Sequence, residues 1–289
     1  MRHPGEGAQA VARRGRERVR RGRERSTPPV PCPVCDSPDS TLRVIERKDK
    51  NRTYTIRICK TCKHVSNAGN TVDYSAFTSI KRFRLTPRVG TEDHQGREFH
   101  MAKMGIDILQ RSSLQAMVFG GGRSLDYRHI AKLPEVEGVV MGDVVDLGID
   151  ADFVNISEGT DRRFDLIIAC EVIEHFTDPR TEFPRLFELL NDDGLLICST
   201  NIYDGKNVAP HTYLYSRGHV SYYSPRAIRE IADRSGMLFD FRVPEIVTGT
   251  AGPRKRYVLF TRSTANLQRT AEYFGWHLYA PSEDVTPRH

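Results

Sequence analysis

Residues 163–201, RFDLIIACEVIEHFTDPRTEFPRLFELLNDDGLLICSTN, hold the clearest succession of hydrophobic patterns in the chain. FDLIIAC is a short continuous apolar run, the pattern of a parallel strand buried on both faces. EVIEHFTDP turns off it. TEFPRLFELL spaces its apolar residues along one face of a helix, NDDG stops that helix with turn chemistry, and LLICST is a second buried strand. Strand, loop, helix, strand is one right-handed crossover of a doubly wound α/β sheet.

The same alternation extends in both directions. REFHMAKMGIDILQR places Phe99, Met101, Met104, Ile106, Ile108 and Leu109 at spacings that suit an amphipathic helix. QAMVF is a strand that runs into Gly120, Gly121 and Gly122, followed by Arg123 and Ser124. Glycines let a backbone turn sharply and approach a ligand, and the N-terminus of a following helix offers free N–H groups. VEGVVMGDVVD and ADFVNISEG predict the next two strands. Asp143 lies 21 residues after Gly122, close to the spacing at which an acid ending the second strand of such sheets meets a ribose diol; Asp146 is the alternative. Ser224 and Pro225 open a helix over PRAIREIADRSG. LFDFRVPE and RYVLFTRS supply two last strands joined by TGTAGPRK. Residues 264–289 show no clear pattern, although AEYFGWHLYA has the apolar content to pack back on the domain.

Near the N-terminus the pattern changes. TLRVIERKD and NRTYTIRIC alternate like strands of a hairpin around a polar DKN turn. They lie between Cys32 and Cys35 on one side and Cys59 and Cys62 on the other. Two CxxC knuckles bring four thiolates around one tetrahedral ion, and a segment this polar needs the metal to fold. Four cysteine ligands leave no open position, so this zinc is structural. His64, two residues past Cys62, reads as a loop residue, and Cys170 and Cys198 read as core packing.

Composition adds a boundary at each end of this picture. The net charge of +6 belongs to the first 28 residues, which hold nine Arg and three Glu, so the remainder is near neutral. That tail has almost no apolar residues and cannot offset its ordering entropy, which predicts a solvated, disordered segment. No aromatic residue is interleaved in it for base stacking, so nucleic acid is not the expected partner. No apolar run approaches the ~20 residues of a membrane span, and no apolar stretch follows the charged N-terminus as in a secretory signal. CxxC pairs in such a chain point to metal and to the cytoplasm. The expected organisation is a tail over 1–28, a zinc ribbon over 29–68, a helical connector over 69–112, a ligand-binding α/β domain over 113–263 and an extension over 264–289.

The wording of several segments resembles class I S-adenosylmethionine-dependent methyltransferases. The resemblance rests on the FD-apolar strand, EVIEH, F and DP of 164–179, the DGLL that follows, the strand-to-glycine turn, and GHVSYYSPRAIREIA. It spans roughly residues 95–263. CPVC and CKTCKHV are similar to the ribbon that precedes this domain in bacterial enzymes of polysaccharide, deoxysugar and secondary-metabolite pathways. Asp36 and Lys63 stand where such ribbons carry glycine, which makes the knuckle turns less ideal. The resemblance implies a Rossmann-like, doubly wound, seven-stranded sheet behind a small zinc ribbon, with S-adenosylmethionine as cofactor. Gly120 and Gly122 match the first two glycines of the family's loop; Val118 stands where an acid is usual and Ser124 where the last glycine is. Asp143 takes the ribose, Asn155 and Ile156 fall where the family contacts adenine, and Glu171 stands at the ligand-binding strand end. His175 and His219 are candidate general bases for a hydroxyl acceptor, against the reading that Glu174 and His175 only orient their loop. The loop over 200–225 holds Tyr203, His211, Tyr213, Tyr215, Tyr222 and Tyr223: either a wall for a polar, planar or sugar-like substrate, or a lid packed by its own side chains. A small-molecule acceptor, sugar-linked by family context, is expected. An RNA or protein methyltransferase, and a non-catalytic binding module suggested by Val118 and Ser124, remain the alternatives.

Overall fold

The computed structural model of the chain describes residues 30–77, 89–146, 148–243 and 255–275. The arginine-rich tail, the TGTAGPRK connection up to residue 254 and the last residues of the C-terminal extension lie outside the described residues. Residues 31–289 form one compact unit.

The ribbon opens with β1 (Ser40–Arg47) and β2 (Arg52–Cys59), an antiparallel hairpin in which Ser40 faces Cys59 and Arg47 faces Arg52. The polar turn is a short 3-10 segment closed by Asn51 at φ 46°. Both knuckle turns need a left-handed residue: Asp36 has φ 64° and Lys63 φ 61°. A side chain there costs roughly 1–2 kcal/mol. Lys63 is exposed and Asp36 has an ion pair to Arg180 at 2.6 Å. Lys63→Gly is therefore expected to stabilise the ribbon by about 1 kcal/mol, read as a higher melting temperature. Asp36→Gly should gain less, because it gives up the pair.

The larger sheet has seven strands: β4 (Leu114–Phe119), β5 (Val136–Asp143), β6 (Phe153–Asn155), β7 (Phe164–Cys170), β8 (Leu190–Asn201), β10 (Leu238–Arg242) and β11 (Lys255–Thr261). Their order is β10-β11-β8-β7-β4-β5-β6, with β11 antiparallel to both neighbours and the other pairings parallel. The sheet is doubly wound, as expected from the crossover of 163–201. β7 shows why its sequence is apolar throughout. Leu166, Ile168 and Cys170 pack with Met101, Ile108 and Leu109 of α1 (Arg97–Leu109) on one face. Ile167 and Ala169 pack on the other face with Phe183 and Leu186 of α3 (Pro179–Glu188) and Ile228 of α4 (Pro225–Arg234). Ser224 caps α4, its Oγ accepting from the Ala227 N–H at 3.1 Å.

Two local expectations change. NDDG does not merely end a helix: β8 already pairs at Leu190 with Phe164, and the next pair is Leu195 with Leu166, so residues 191–194 bulge between them. Asn191 holds the bulge by donating to Asp165 Oδ1 at 2.8 Å. The extension contains a helix, α5 (Thr264–Tyr273), started by Ser263 accepting from the Asn266 N–H at 3.3 Å, and Phe274 beyond it packs on the α1 face. A short α2 (Asp126–Ile130) follows the glycine turn. No helix among the described residues is long and apolar enough to cross a membrane.

The ribbon is joined to the segment after β8 rather than appended to the domain. Its short β3 (Val65–Ser66) pairs with β9 (Ser221–Tyr222), making a four-stranded sheet β1-β2-β3-β9. Tyr54, Ile56 and Val65 share a core with Tyr203, Leu214, Tyr215 and Tyr222.

Candidate active site

The glycine turn leaves β4 at the carboxyl edge of the sheet. Gly120 and Gly122 have φ 64° and 55°, and a Cβ on Gly120 would come within 2.7 Å of Val172 Cγ2, so the turn closes against the loop after β7. Ser124 is buried. Its Oγ accepts from the N–H of Gly90 and of Asp126 and donates to Glu98 Oε2, each at 3.3 Å. Asp126 Oδ1 accepts from the Gly96 N–H at 2.7 Å. The serine in place of the last family glycine thus ties the segment before α1 onto the turn. Glu98 is buried beside Asp126, and desolvation, with hydrogen bonding to Asp126, pushes its carboxyl up to about 8.

Asp143 ends β5 one residue beyond Gly142, which is in register with Phe119 and accepts from the Gly120 N–H at 2.8 Å, so its backbone lies beside the glycine turn. Its Oδ1 accepts from the Val144 N–H at 2.7 Å, and burial raises its pKa to about 6. Asp146 is exposed and accepts from Gly148 N–H at 2.8 Å within its own turn. The structure brings Asp143, not Asp146, to the turn. Asn155 pairs across from Asp143, but its amide is engaged in its own loop: Oδ1 accepts from the Ser157 N–H at 3.0 Å, and Nδ2 donates to Glu158 at 2.8 Å. Ile156 is partly buried against the core.

Glu171 leaves β7 in the left-handed region, φ 57°, a conformation that non-glycine residues adopt at a cost and that clusters at functional sites. Its carboxylate accepts from Ser199 Oγ at 2.9 Å and forms an ion pair with Lys255 on β11. Behind it a 3-10 turn over Ile173–His175 buries Glu174 completely. Glu174 Oε2 accepts from Thr200 Oγ1 at 3.3 Å. His175 Nδ1 lies 2.9 Å from both the Gly218 carbonyl and the Tyr74 hydroxyl. Its ring meets His219 edge-on at 4.9 Å, and His219 in turn meets Tyr213 at 4.4 Å. Burial, and then the neighbouring His175, depress the His219 pKa to about 3, so its ring is neutral. The two candidate histidines are therefore in one cluster, although 43 residues separate Gly218 from His175 in the chain. Tyr74, Thr200, Gly218 and Lys255 complete the site and carry no local sequence signal that singles them out; Gly218 was legible only as part of the GH pair.

The aromatic loop is largely a packed lid. Tyr203, Tyr215, Tyr222 and Tyr223 are buried, and their hydroxyls donate to the carbonyls of Lys206, Val208, Ile202 and Ile173. His211 is buried as well. Only Tyr213 and His219 among the rings of the lid keep partial exposure. The ribbon pins this lid: Asn67 Nδ2 donates to the Leu214 carbonyl at 3.0 Å and Asn70 Nδ2 to that of His219 at 3.1 Å.

The four ribbon cysteines converge, their sulfurs all within 4.8 Å of one another, with Cys32 to Cys62 at 3.6 Å and Cys35 to Cys59 at 3.5 Å. A tetrahedral ion with ~2.3 Å metal–sulfur bonds needs sulfur separations of roughly 3.8 Å. Hydrogen bonding from Cys62 holds Cys32 down to about 3, so one thiolate of the set forms readily. His64 is a loop residue just before β3, as expected. It is buried, with its ring 5.3 Å from that of Tyr223, because the knuckle is pressed against the main core. Cys170 and Cys198 are buried in the sheet as expected.

Residues 104–237 match a family of methyltransferase domains. No curated protein matches the chain. Among solved structures, the chain is similar to a plantazolicin methyltransferase in complex with a substrate analogue and S-adenosylhomocysteine. Identity is 14% and the TM-score 0.43, covering 56% of this chain and 82% of that one. It is also similar to the Burkholderia thailandensis 1,6-didemethyltoxoflavin-N1-methyltransferase, at 18% identity and TM-score 0.40 over 55% and 74% of the two chains. A third is the YcgJ protein of Bacillus subtilis, at 14% identity and TM-score 0.42 over 57% and 99%. The matched segment contains the glycine turn, Asp143, Glu174, His175 and His219.

Proposed function

We propose that this chain transfers a methyl group from S-adenosylmethionine to a small molecule, with a sugar or glycan-pathway intermediate as the acceptor class. The observation that carries the reading is the placement of Asp143 beside the left-handed glycine turn at the sheet's carboxyl edge, next to the Glu174–His175–His219 cluster. The residues fit the cofactor. The turn bends through Gly120 and Gly122 with positive φ, and Asp143 offers a desolvated carboxylate for a ribose diol. Ile156 offers an apolar face for adenine, with Asn155 closing the loop beside it. Ser124, used as a tie under the turn, is a built substitution rather than a decayed glycine.

The cofactor supplies a methyl group on a sulfonium, open to in-line displacement. This chain's residues then have three tasks: align the acceptor, exclude water and handle the acceptor proton. The lid, held by the ribbon, excludes water. Glu171, fixed by Ser199 and Lys255, places a negative charge at the strand end near the cofactor. His175 and His219 face the acceptor side and are its proton-handling groups; His175, held by Gly218 and Tyr74, is the less movable of the two. Family wording in the ribbon supports the sugar class.

The test is S-adenosylhomocysteine binding followed by calorimetry across pH. Asp143 has to be ionised to accept from both ribose hydroxyls, and its pKa is about 6. Affinity is expected to be level above pH 7 and to fall as pH drops through 6, approaching tenfold per unit at the limit. Asp143→Asn should remove the slope and weaken binding at pH 7.5 by roughly 1.5–3 kcal/mol. Absence of binding to the wild type overturns the cofactor assignment, and an unchanged slope in Asp143→Asn overturns the role of this residue.

A further inference from the structure

Glu174, His175 and His219 have the donor set of a cation site, separate from the four ribbon thiols. Each offers one ligand atom, and the three atoms lie within 4.8 Å of one another. We propose that they hold a divalent first-row transition cation, of the Zn²⁺ or Mn²⁺ kind, whose coordination an acceptor oxygen completes. The proposal rests on the methyl-transfer reading above and names how that site treats its acceptor.

Three observations converge on it. Glu174 is fully buried, and its Oε1 has no hydrogen-bond partner. A buried carboxylate oxygen without a donor costs several kcal/mol unless something positive faces it. His219 Nδ1 is likewise buried and unpartnered. For His175 the geometry fixes the tautomer. Its Nδ1 is 2.9 Å from both the Gly218 carbonyl, which can only accept, and the Tyr74 hydroxyl, which can accept as well, an arrangement met by a proton on Nδ1 and a lone pair on Nε2. A backbone carbonyl behind one ring nitrogen is also the usual support of a metal-binding imidazole.

A plain hydrogen-bonded cluster is the competing account. It would place a proton between the carboxylate and an imidazole, yet no hydrogen bond or ion pair joins Glu174 to either histidine. The backbone nevertheless locks them together, the Val220 N–H donating to the Glu174 carbonyl at 2.9 Å. Buried polar atoms without a partner, in a set whose ligand atoms lie within 4.8 Å of one another, are what a cation satisfies.

Two nitrogens and one oxygen suit a transition cation better than Ca²⁺ or Mg²⁺, which prefer all-oxygen shells. Three protein ligands leave positions open, unlike the closed ribbon site. With the cation bound, the two histidines are its ligands rather than bases, and an acceptor hydroxyl bound there loses its proton to water more readily. The alkoxide oxygen then forms its bond to the methyl carbon as the sulfur–carbon bond breaks. The bonding pair stays on sulfur, and sulfonium and alkoxide become thioether and ether.

The test counts metal. Full-length protein is dialysed to equilibrium against micromolar Zn²⁺ and Mn²⁺, and total metal per chain is measured by mass spectrometry. Two ions per chain are expected for the wild type. One is expected for Glu174→Gln and one for His219→Gln, each with at least tenfold weaker uptake of the second ion. Cys59→Ser, as a control, should lose the other ion. S-adenosylhomocysteine affinity, measured in parallel, should stay within about threefold in the two site variants, and melting curves confirm that they are folded. The isosteric Glu174→Gln guards against a folding defect in the histidine variant. A count of one in the wild type overturns the proposal, as does a count of two in both folded variants. If cofactor binding persists in either case, the transferase reading stands without the cation.

Discussion

If the four ribbon cysteines hold a metal, its removal is expected to slow acceptor turnover while the cofactor still binds. β3 of the ribbon is paired to β9 of the lid, and Asn67 and Asn70 donate to lid carbonyls that include the one on His219. Ser224, which caps α4, also donates to the Cys62 carbonyl. The ribbon has little core of its own: Leu42 and Val44 on β1 are 58% and 68% exposed. Its order therefore depends on the metal. In Cys59→Ser the lid loses its edge strand and several hydrogen bonds, each contributing about 0.5–1.5 kcal/mol. His219 then loses its fixed position, and misplacement of a positioned group by about 1 Å costs on the order of 10²-fold in rate. Gly120 follows β4 and Asp143 ends β5, away from this contact. The variant should bind S-adenosylhomocysteine within a few-fold of wild type, melt lower, and turn over at least ~10² times more slowly. Full turnover in metal-free Cys59→Ser would show that the ribbon does not hold the lid. Equal loss of cofactor binding would show that it holds the whole fold.

Gly218→Ala should be strongly damaging to turnover. Gly218 has φ 82°, and a Cβ there would lie 2.1 Å from the Tyr74 hydroxyl oxygen and 2.8 Å from His175 Nδ1. The left-handed backbone alone costs an alanine roughly 1–2 kcal/mol. The larger effect is at the site, because the methyl occupies the place where the Gly218 carbonyl, Tyr74 and His175 meet. His175 must rotate, which loses the bond that sets its tautomer. Turnover is expected to fall by roughly 10²–10⁴, with cofactor affinity nearly intact. Tyr74→Phe removes one hydroxyl without a clash and should be milder. Steady-state kinetics beside calorimetry separate the two effects. Near-normal turnover in Gly218→Ala would mean that the orientation of His175 does not limit the reaction.

Within the sequence, what is local is legible. β7 reads as a strand because both of its faces are covered, by α1 on one side and by α3 and α4 on the other, and a strand buried on both faces is apolar throughout. The four ribbon cysteines read as a metal set because a knuckle is a short-range geometry. Asp36 and Lys63 read as misfits in glycine positions, and both have positive φ. α5 was missed because its buried positions are Asn266, Thr270 and Ala271, which a search for apolar spacing passes over. The lid shows the limit from the other side. A run of tyrosines is equally apt for a substrate wall and for a core, and only their hydroxyls donating to nearby carbonyls, in a core shared with Tyr54 and Ile56, assign most of them to packing.

The sequence by itself thus determined the crossover strands, the glycine turn, the acid 21 residues beyond it and the ribbon, since periodicity and short spacing are properties of adjacent residues. The tertiary structure alone decided the site's membership. Tyr74 meets His175 across 101 residues, Lys255 meets Glu171 across 84, and Ser224 meets Cys62 across 162. The tie of Ser124 and Asp126 to Gly90 and Gly96 is of the same kind. Such contacts exist only after the sheet has closed, because the core's packing, not any local preference, sets which distant side chains arrive at one strand edge.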